Sequence, residues 1–150
     1  MTVLFIDADA CPVKKEAYRV AERHHVQVKL VANASMSVPA VPWIELVLVS
    51  DGFDAADDWI VEHARANAIV ISDDIPLAGR CIPNGVRVIS SRGREFTETG
   101  IGDALATREV LSHMREHGLA SGGPAPFGPK DRSRFLDRFD ALLRAALRKR

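Results

Sequence analysis

The stretch FIDADACPVKKEA, residues 5–17, sets two carboxylates one residue apart where an apolar run gives way to a helical pattern. The run that enters it, VLFI (3–6), reads as a buried strand, and Pro12 suits the first position of a helix reaching the His24–His25 pair. A strand handing over directly to a helix is the unit from which parallel sheets are built, and the rest of the chain repeats it. VQVKLVA (26–32) is a second strand; the loop NASMSVPAVPW, with two prolines, leads to a third, IELVLVS (44–50). In DAADDWIVEHARA, Asp54 is placed to cap a helix and Asp57 sits in its first turn, where the helix dipole favours negative charge. AIVIS (68–72) and VRVIS (86–90) supply strands four and five. Apolar runs with helices between them imply an α/β fold with a mostly parallel sheet of about five strands, covered on both faces.

Composition narrows the function classes. A chain of 150 residues, 47% apolar and 27% charged, is expected to form one globular domain with a sizeable core. Cys11 and Cys81 are the only cysteines, and no signal peptide or bilayer-length apolar run is present, which fits a reduced, cytoplasmic protein with no membrane role. ETGIGDALATREVLSHMREHG reads as a helix closed by Gly118. A Gly/Pro-rich connector (119–129) then precedes an amphipathic helix over 130–148, with Phe135, Leu136, Phe139, Leu142, Leu143, Ala146 and Leu147 at helical spacing. The net charge is zero but polarised: residues 130–150 hold eight Lys or Arg against three Asp, whereas 51–74 hold seven acids against Arg65 alone.

Those acids follow a pattern. Ligands of open parallel sheets bind at the carboxyl ends of the strands, so residues just after different strands converge. Asp7 and Asp9 follow strand one, Asp51 and Asp54 follow strand three with Asp57 and Asp58 behind them, and Asp73 and Asp74 follow strand four. Carboxylates gathered on one rim must take up protons or a cation, and an all-oxygen set suits Mg²⁺ or Mn²⁺ rather than Zn²⁺. Phosphate chemistry is the expected use of such a site. Each acid taken singly has a plainer reading, since Asp caps helices and turns chains; this applies above all to Asp51, Asp54 and Asp9. Asp58 turns about 100° away from Asp57 around the helix and reads as a solvated neighbour.

Several residues sit beside this pattern. Asn33 and Ser35, after strand two, either contact substrate or turn the chain. Arg80, Arg87, Arg92 and Arg94, with the basic face of the last helix, are candidate phosphate contacts, and the glycine between Arg92 and Arg94 permits close approach of a backbone to a ligand. Cys11 reads as a small filler, and His113 and His117 as exposed polar residues without further metal partners. No phosphate-binding loop of the GxxxxGK[ST] kind and no GxSxG elbow occurs.

DADACPVK, GFDAADDWIV, VISDDIPLA and GGPAPFGPKDRSRF together resemble the signature stretches of the bacterial YaiI/YqxD family, over nearly the whole chain. That family is functionally uncharacterised and is placed with the PIN-like nuclease domains. The resemblance implies a three-layer α/β/α PIN-like domain over 1–150. It also implies a divalent-metal site in which Asp7 is the first acid, Asp57 the helix acid and Asp74 the strand-four acid, with Ser72 where PIN domains often carry Thr. Asp9 is additional, and no clear equivalent appears for the Glu that many PIN domains place between the first and third acids. The expectation is a metal-dependent nuclease with Asp7, Asp57 and Asp74 catalytic and Asp9 and Asp73 as further ligands. Asp54, Ser72 and Asn33 support the site, and Arg92, Arg94, Arg80 and Lys14 contact nucleic acid, RNA in preference. Two other readings remain. The DxD after strand one also resembles the haloacid dehalogenase phosphatases, although the span from Ser50 to Asp73 lacks their phosphate-holding lysine. A non-catalytic domain that binds nucleic acid or a protein partner needs only the acidic rim and the basic surfaces.

Overall fold

β1 (Val3–Asp7) has its three middle residues, Leu4, Phe5 and Ile6, buried, and both of its edges are occupied by parallel neighbours. A strand so enclosed must be apolar on both faces, as VLFI is. The computed structural model describes residues 2–50, 52, 54–118 and 126–148 of the chain. In it β1 pairs with β2 (Gln27–Ala32) and β4 (Ala68–Ile71). β2 pairs in turn with β3 (Ile44–Leu48), and β4 with β5 (Arg87–Ile89), all parallel. A two-residue strand β6 (Glu95–Phe96) adds antiparallel to β5, giving the order β3-β2-β1-β4-β5-β6.

Side chains alternate across the sheet and recruit a helical layer on each face. Leu4, Ile6, Val28, Leu30, Ile69, Ile71 and Ile89 pack against α1 (Lys14–Arg23) and α5 (Pro129–Arg148), which contribute Ala17, Val20, Phe135, Phe139 and Leu143. Phe5, Val31, Val70 and Val88 face α2 (Ala55–His63) and α3 (Ile75–Cys81), which contribute Ala56, Ile60, Leu77 and Ala78. The result is a three-layer α/β/α arrangement. α4 (Glu98–Glu116) lies outside α3, where Gly79 admits Leu105 and Ile101; a methyl group at Gly79 would stand 3.4 Å from Leu105. Among the described residues no helix is long and apolar enough to cross a membrane, and both cysteines are free.

The structure departs from the sequence reading in four places. Pro12 lies in a turn and not at the first helical position: a single 3-10 turn over Ala8–Ala10 follows β1, and α1 begins only at Lys14, after the fully buried Val13 has anchored the chain. Asp54 precedes α2 but does not cap it, because its backbone is left-handed (φ 63°) and its side chain accepts no cap hydrogen bond. Neither α3 nor β6 carries a periodic signal, being seven and two residues long. Gly93, at φ 87° in the β5–β6 turn, does permit a close approach, but to α5: a Cβ there would stand 2.8 Å from the Arg134 carbonyl oxygen. Of the 119–129 connector, residues 119–125 lie outside the described residues, as does Asp51.

Candidate metal centre at the carboxyl rim

The strand order reverses at β1, since β2 and β3 extend to one side and β4 and β5 to the other. At such a switch point the loops leaving neighbouring strands diverge and open a crevice at their carboxyl ends. Asp7 ends β1, and Ser72, Asp73 and Asp74 follow β4, so the two arms of the crevice carry the acids that the sequence reading selected. They line a cavity of about 200 Å³ together with Cys11 and Ser91. A larger cavity of about 350 Å³ lies at the opposite ends of the strands, beside Thr2, Ala68 and Arg87, and no carboxylate lines it.

Buried Ser72 organises the rim. Its Oγ donates to Asp7 Oδ2 at 2.8 Å and accepts the Asp74 backbone N–H at 3.0 Å, fixing the Asp7 carboxylate relative to the start of α3. Asp74 caps that helix, accepting the Leu77 N–H at 3.0 Å through Oδ1. Its plain structural role and its place in the cluster therefore coexist. Burial pushes the Asp7 carboxyl up, the Ser72 hydrogen bond opposes that shift, and the charges of Asp74, Asp9 and Asp73 add to it. Asp57, from the first turn of α2, is pushed up to about 7 by burial, by the charges of Asp74, Asp7 and Asp54, and by contact with the Asp74 carboxyl. A carboxyl held that high is favoured in its protonated form below neutral pH.

The remaining acids hold the rim together. Asp73 accepts the Ser91 N–H at 2.8 Å and the Ser91 hydroxyl at 2.6 Å, tying the β4 end to the β5–β6 turn. Asp9 accepts the Asn33 N–H at 3.0 Å, and Asn33 Nδ2 donates to the Ser50 carbonyl at 2.8 Å, linking the ends of β1, β2 and β3. Ser91 was not singled out from sequence, though it follows strand five at the same rim and the rule that gathered the acids reaches it too. Asp54 is exposed and contributes only charge to Asp57. Asp58 pairs with Arg80 at 2.9 Å. Cys11, its thiol pushed up to about 11 by burial, is a neutral filler of the wall.

Of the cations expected to meet nucleic acid, three are engaged within the fold. Lys14 donates to the carbonyls of Ala8 and Cys11, Arg80 holds Asp58, and Arg92 pairs with Asp131 at 3.1 Å. Arg94 is exposed, its guanidinium 5.8 Å from the centroid of the Phe96 ring.

The carboxylate and hydroxyl donors at the rim are oxygens; burial raises Asp7 and Asp57, the neighbouring acid charges add to it, and a bound divalent cation would offset those charges. Among the described residues, the one trio of His, Cys, Asp or Glu side chains with ligand atoms all within 4.8 Å of one another is His113, Glu116 and His117, exposed at the end of α4. Asp7, Asp73 and Asp74 line one cavity, and an oxygen-only set of this kind suits a hard ion that retains much of its water, as Mg²⁺ does.

Comparison with known proteins agrees with the resemblance of the motifs. A family model described as "Uncharacterized BCR, YaiI/YqxD family" matches residues 5–145. A UPF0178 protein of Rhodopseudomonas palustris (strain TIE-1) is 49% identical across 100% of this chain and 95% of its own length. One from Brucella ovis is 51% identical over 93% of this chain and 88% of its own. A third, from Bradyrhizobium diazoefficiens, is 49% identical over 99% and 89%. No solved structure matches. With a family model spanning nearly all of it and relatives at about half identity over most of their lengths, the chain belongs to the YaiI/YqxD family of uncharacterised bacterial proteins.

Proposed function

We propose that this protein is a divalent-metal-dependent nuclease that hydrolyses phosphodiester bonds, RNA being the preferred substrate. The observation that carries the reading is the meeting of Asp7 and Asp74 at the β1/β4 switch point beside Asp57, which burial and then the charges of Asp74 and Asp7 push up to about 7. A structural origin explains each acid singly; it does not explain why three elements deliver carboxylates that repel. The PIN-like character implied by the motifs points the same way. Mg²⁺ or Mn²⁺, held by Asp7 and Asp74 with Asp57 alongside, would polarise a phosphoryl oxygen and supply hydroxide for attack.

The chain's own residues divide the remaining work. Ser72 orients Asp7, and the α3 cap bond orients Asp74, so both are positioned before substrate arrives. Asp57, pushed up to about 7 by burial and the neighbouring acids, is suited to hold a proton at its carboxyl oxygens near neutral pH and to pass it on as the bond breaks. Asp9 and Asp73 keep the loops from spreading under the repulsion of the cluster.

The test is cleavage of end-labelled single-stranded RNA in Mn²⁺ by the wild type and by Asp7→Asn. Cleavage reduced by more than about a hundredfold in the variant supports the reading, given that losing even an outer partner of a metal site costs 10–100-fold. Phosphate released from small esters without RNA cleavage would move the assignment to a phosphatase. Salt-sensitive binding of nucleic acid with neither activity would leave a binding domain.

A further inference from the structure

An acidic rim repels the polyanion it is proposed to cut, so positive charge must lie nearby, in side chains that no carboxylate of the fold already holds. Six arginines fail that requirement: Arg23, Arg80, Arg92, Arg132, Arg134 and Arg144 all sit in ion pairs. Arg94, Arg108 and Arg115 do not pair with any carboxylate among the described residues, and all three line one cavity of about 280 Å³ between the start of α3 and α4. Ala104, Arg108, Leu111 and Arg115 fall at positions i, i+4, i+7 and i+11, one stripe along α4 facing that cavity. Asp103 also stands at its edge, beyond ion-pair distance of the guanidiniums.

The lining fixes the ligand class. Three guanidiniums favour phosphate oxygens, which they bind through paired N–H donors. Ile75 and Leu111, the latter 42% exposed, give the same cavity an apolar side that inorganic phosphate cannot use and that a sugar or base can cover. Ile75 directly follows Asp74, so this cavity and the acid rim adjoin at the start of α3.

We propose that Arg94, Arg108 and Arg115 on the α3–α4 cavity bind the phosphodiester backbone of single-stranded nucleic acid and lead it to the Asp7–Asp74 rim. The second half of that statement rests on the nuclease reading; the first half stands without it. The experiment is fluorescence anisotropy of labelled single-stranded RNA, and of DNA of the same sequence, in chelator-treated buffer across a salt series. The proteins are the wild type, Arg108→Gln/Arg115→Gln, and the control Arg138→Gln/Arg148→Gln, which removes two exposed arginines from α5. The groove requires at least about tenfold weaker binding in the α4 variant. It also requires a log K versus log salt slope shallower by about 1.4, because two guanidiniums no longer neutralise phosphates. The control should bind as the wild type does. The strand bound more tightly names the source of the phosphodiester. Equal losses in both double variants, or no loss in the α4 variant, overturn the proposal. A single-turnover cleavage assay on the same proteins keeps the two readings apart. Binding that depends on Arg108 and Arg115 without any cleavage retains the groove and removes the nuclease, whereas wild-type cleavage unaffected by their loss removes the groove alone.

Discussion

α4 and α5 are almost equal in length, nineteen and twenty residues, and both carry arginines beside aliphatic side chains. Their fates in the fold differ. α5 buries Phe135, Phe139, Leu142 and Leu143, and several of its charges are paired within the fold: Arg132 holds Glu16 and the Pro12 carbonyl, Arg134 and Arg92 hold Asp131, and Arg144, Arg23 and His24 hold Asp140. Hydrogen bonds from Gly128 N–H to Asp131 and from His24 to Asp140 keep both carboxyls below their ordinary range, with the arginines reinforcing them. α4 buries only Ala104, leaves Val110 and Leu111 exposed, and leaves Arg108 and Arg115 unpaired among the described residues. A helix whose groups are satisfied internally is scaffold. One whose cations and apolar side chains are left over is surface available to something else.

The widest gap between the two should appear in stability. Phe135→Ala empties a fully buried site where Phe135 stacks on Phe139 at 5.2 Å, and is expected to cost about 3–5 kcal/mol in urea unfolding. Leu111→Ala on α4 should stay within about 0.5 kcal/mol. A comparable loss from both would mean that α4 is covered in solution and would break the distinction. The two glycines give a finer contrast. Gly93→Ala drives a methyl group into the Arg134 carbonyl at a left-handed φ and should cost about 2–3 kcal/mol. Gly118→Ala, left-handed with nothing within 4 Å, should cost about 1 kcal/mol from backbone strain alone.

The rim belongs with α4 as a place of leftover charge, and pH exposes it. The fold favours the protonated form of Asp57, held up to about 7, so its contribution is fully present below about pH 4, the unfolded value, and is lost as the pH rises through 7. Asp57→Asn should therefore match the wild type at pH 4 and exceed it at pH 8 by about 1–2 kcal/mol, after allowing for solvent screening of a half-exposed group. Melting temperatures across that range read the difference, and saturating Mg²⁺ should shrink it if the cation binds the rim. The smallest effect is expected at Arg132→Gln: under about 1 kcal/mol for one partly exposed ion pair, with nucleic-acid affinity unchanged.

Much of this was legible in the sequence where the signal was long or repeated. VLFI, VQVKLVA, IELVLVS and AIVIS became β1 to β4 because continuous apolar runs suit a doubly covered sheet. The Phe135–Leu147 stripe became the buried side of α5. The convergence of Asp7 and Asp74 followed from one topological rule. What stayed hidden depended on contacts distant in sequence or on short pieces: the cap that makes Asp74 structural as well, the Asp73–Ser91 tie, and the pairing of Arg92 with Asp131 thirty-nine residues away. Asp54 misled because its residue type suits a cap and its backbone does not. Arg108 and Arg115 escaped notice because, in a helix read alone, nothing separates a solvated arginine from one aimed into a cavity.

The central position of β1 also has a consequence in time. Its parallel partners, Gln27–Val31 and Ala68–Ile71, lie far along the chain, so the strand that ends in Asp7 forms only when distant segments have already met. Once formed, its amides at Leu4 to Ile6 open only with the whole molecule and should be among the slowest to exchange with solvent. The loop between β2 and β3, which belongs to no sheet ladder, is expected to exchange faster. The first acid of the rim thus sits on the strand expected to open last, and any excursion of the rim falls to the loops around it.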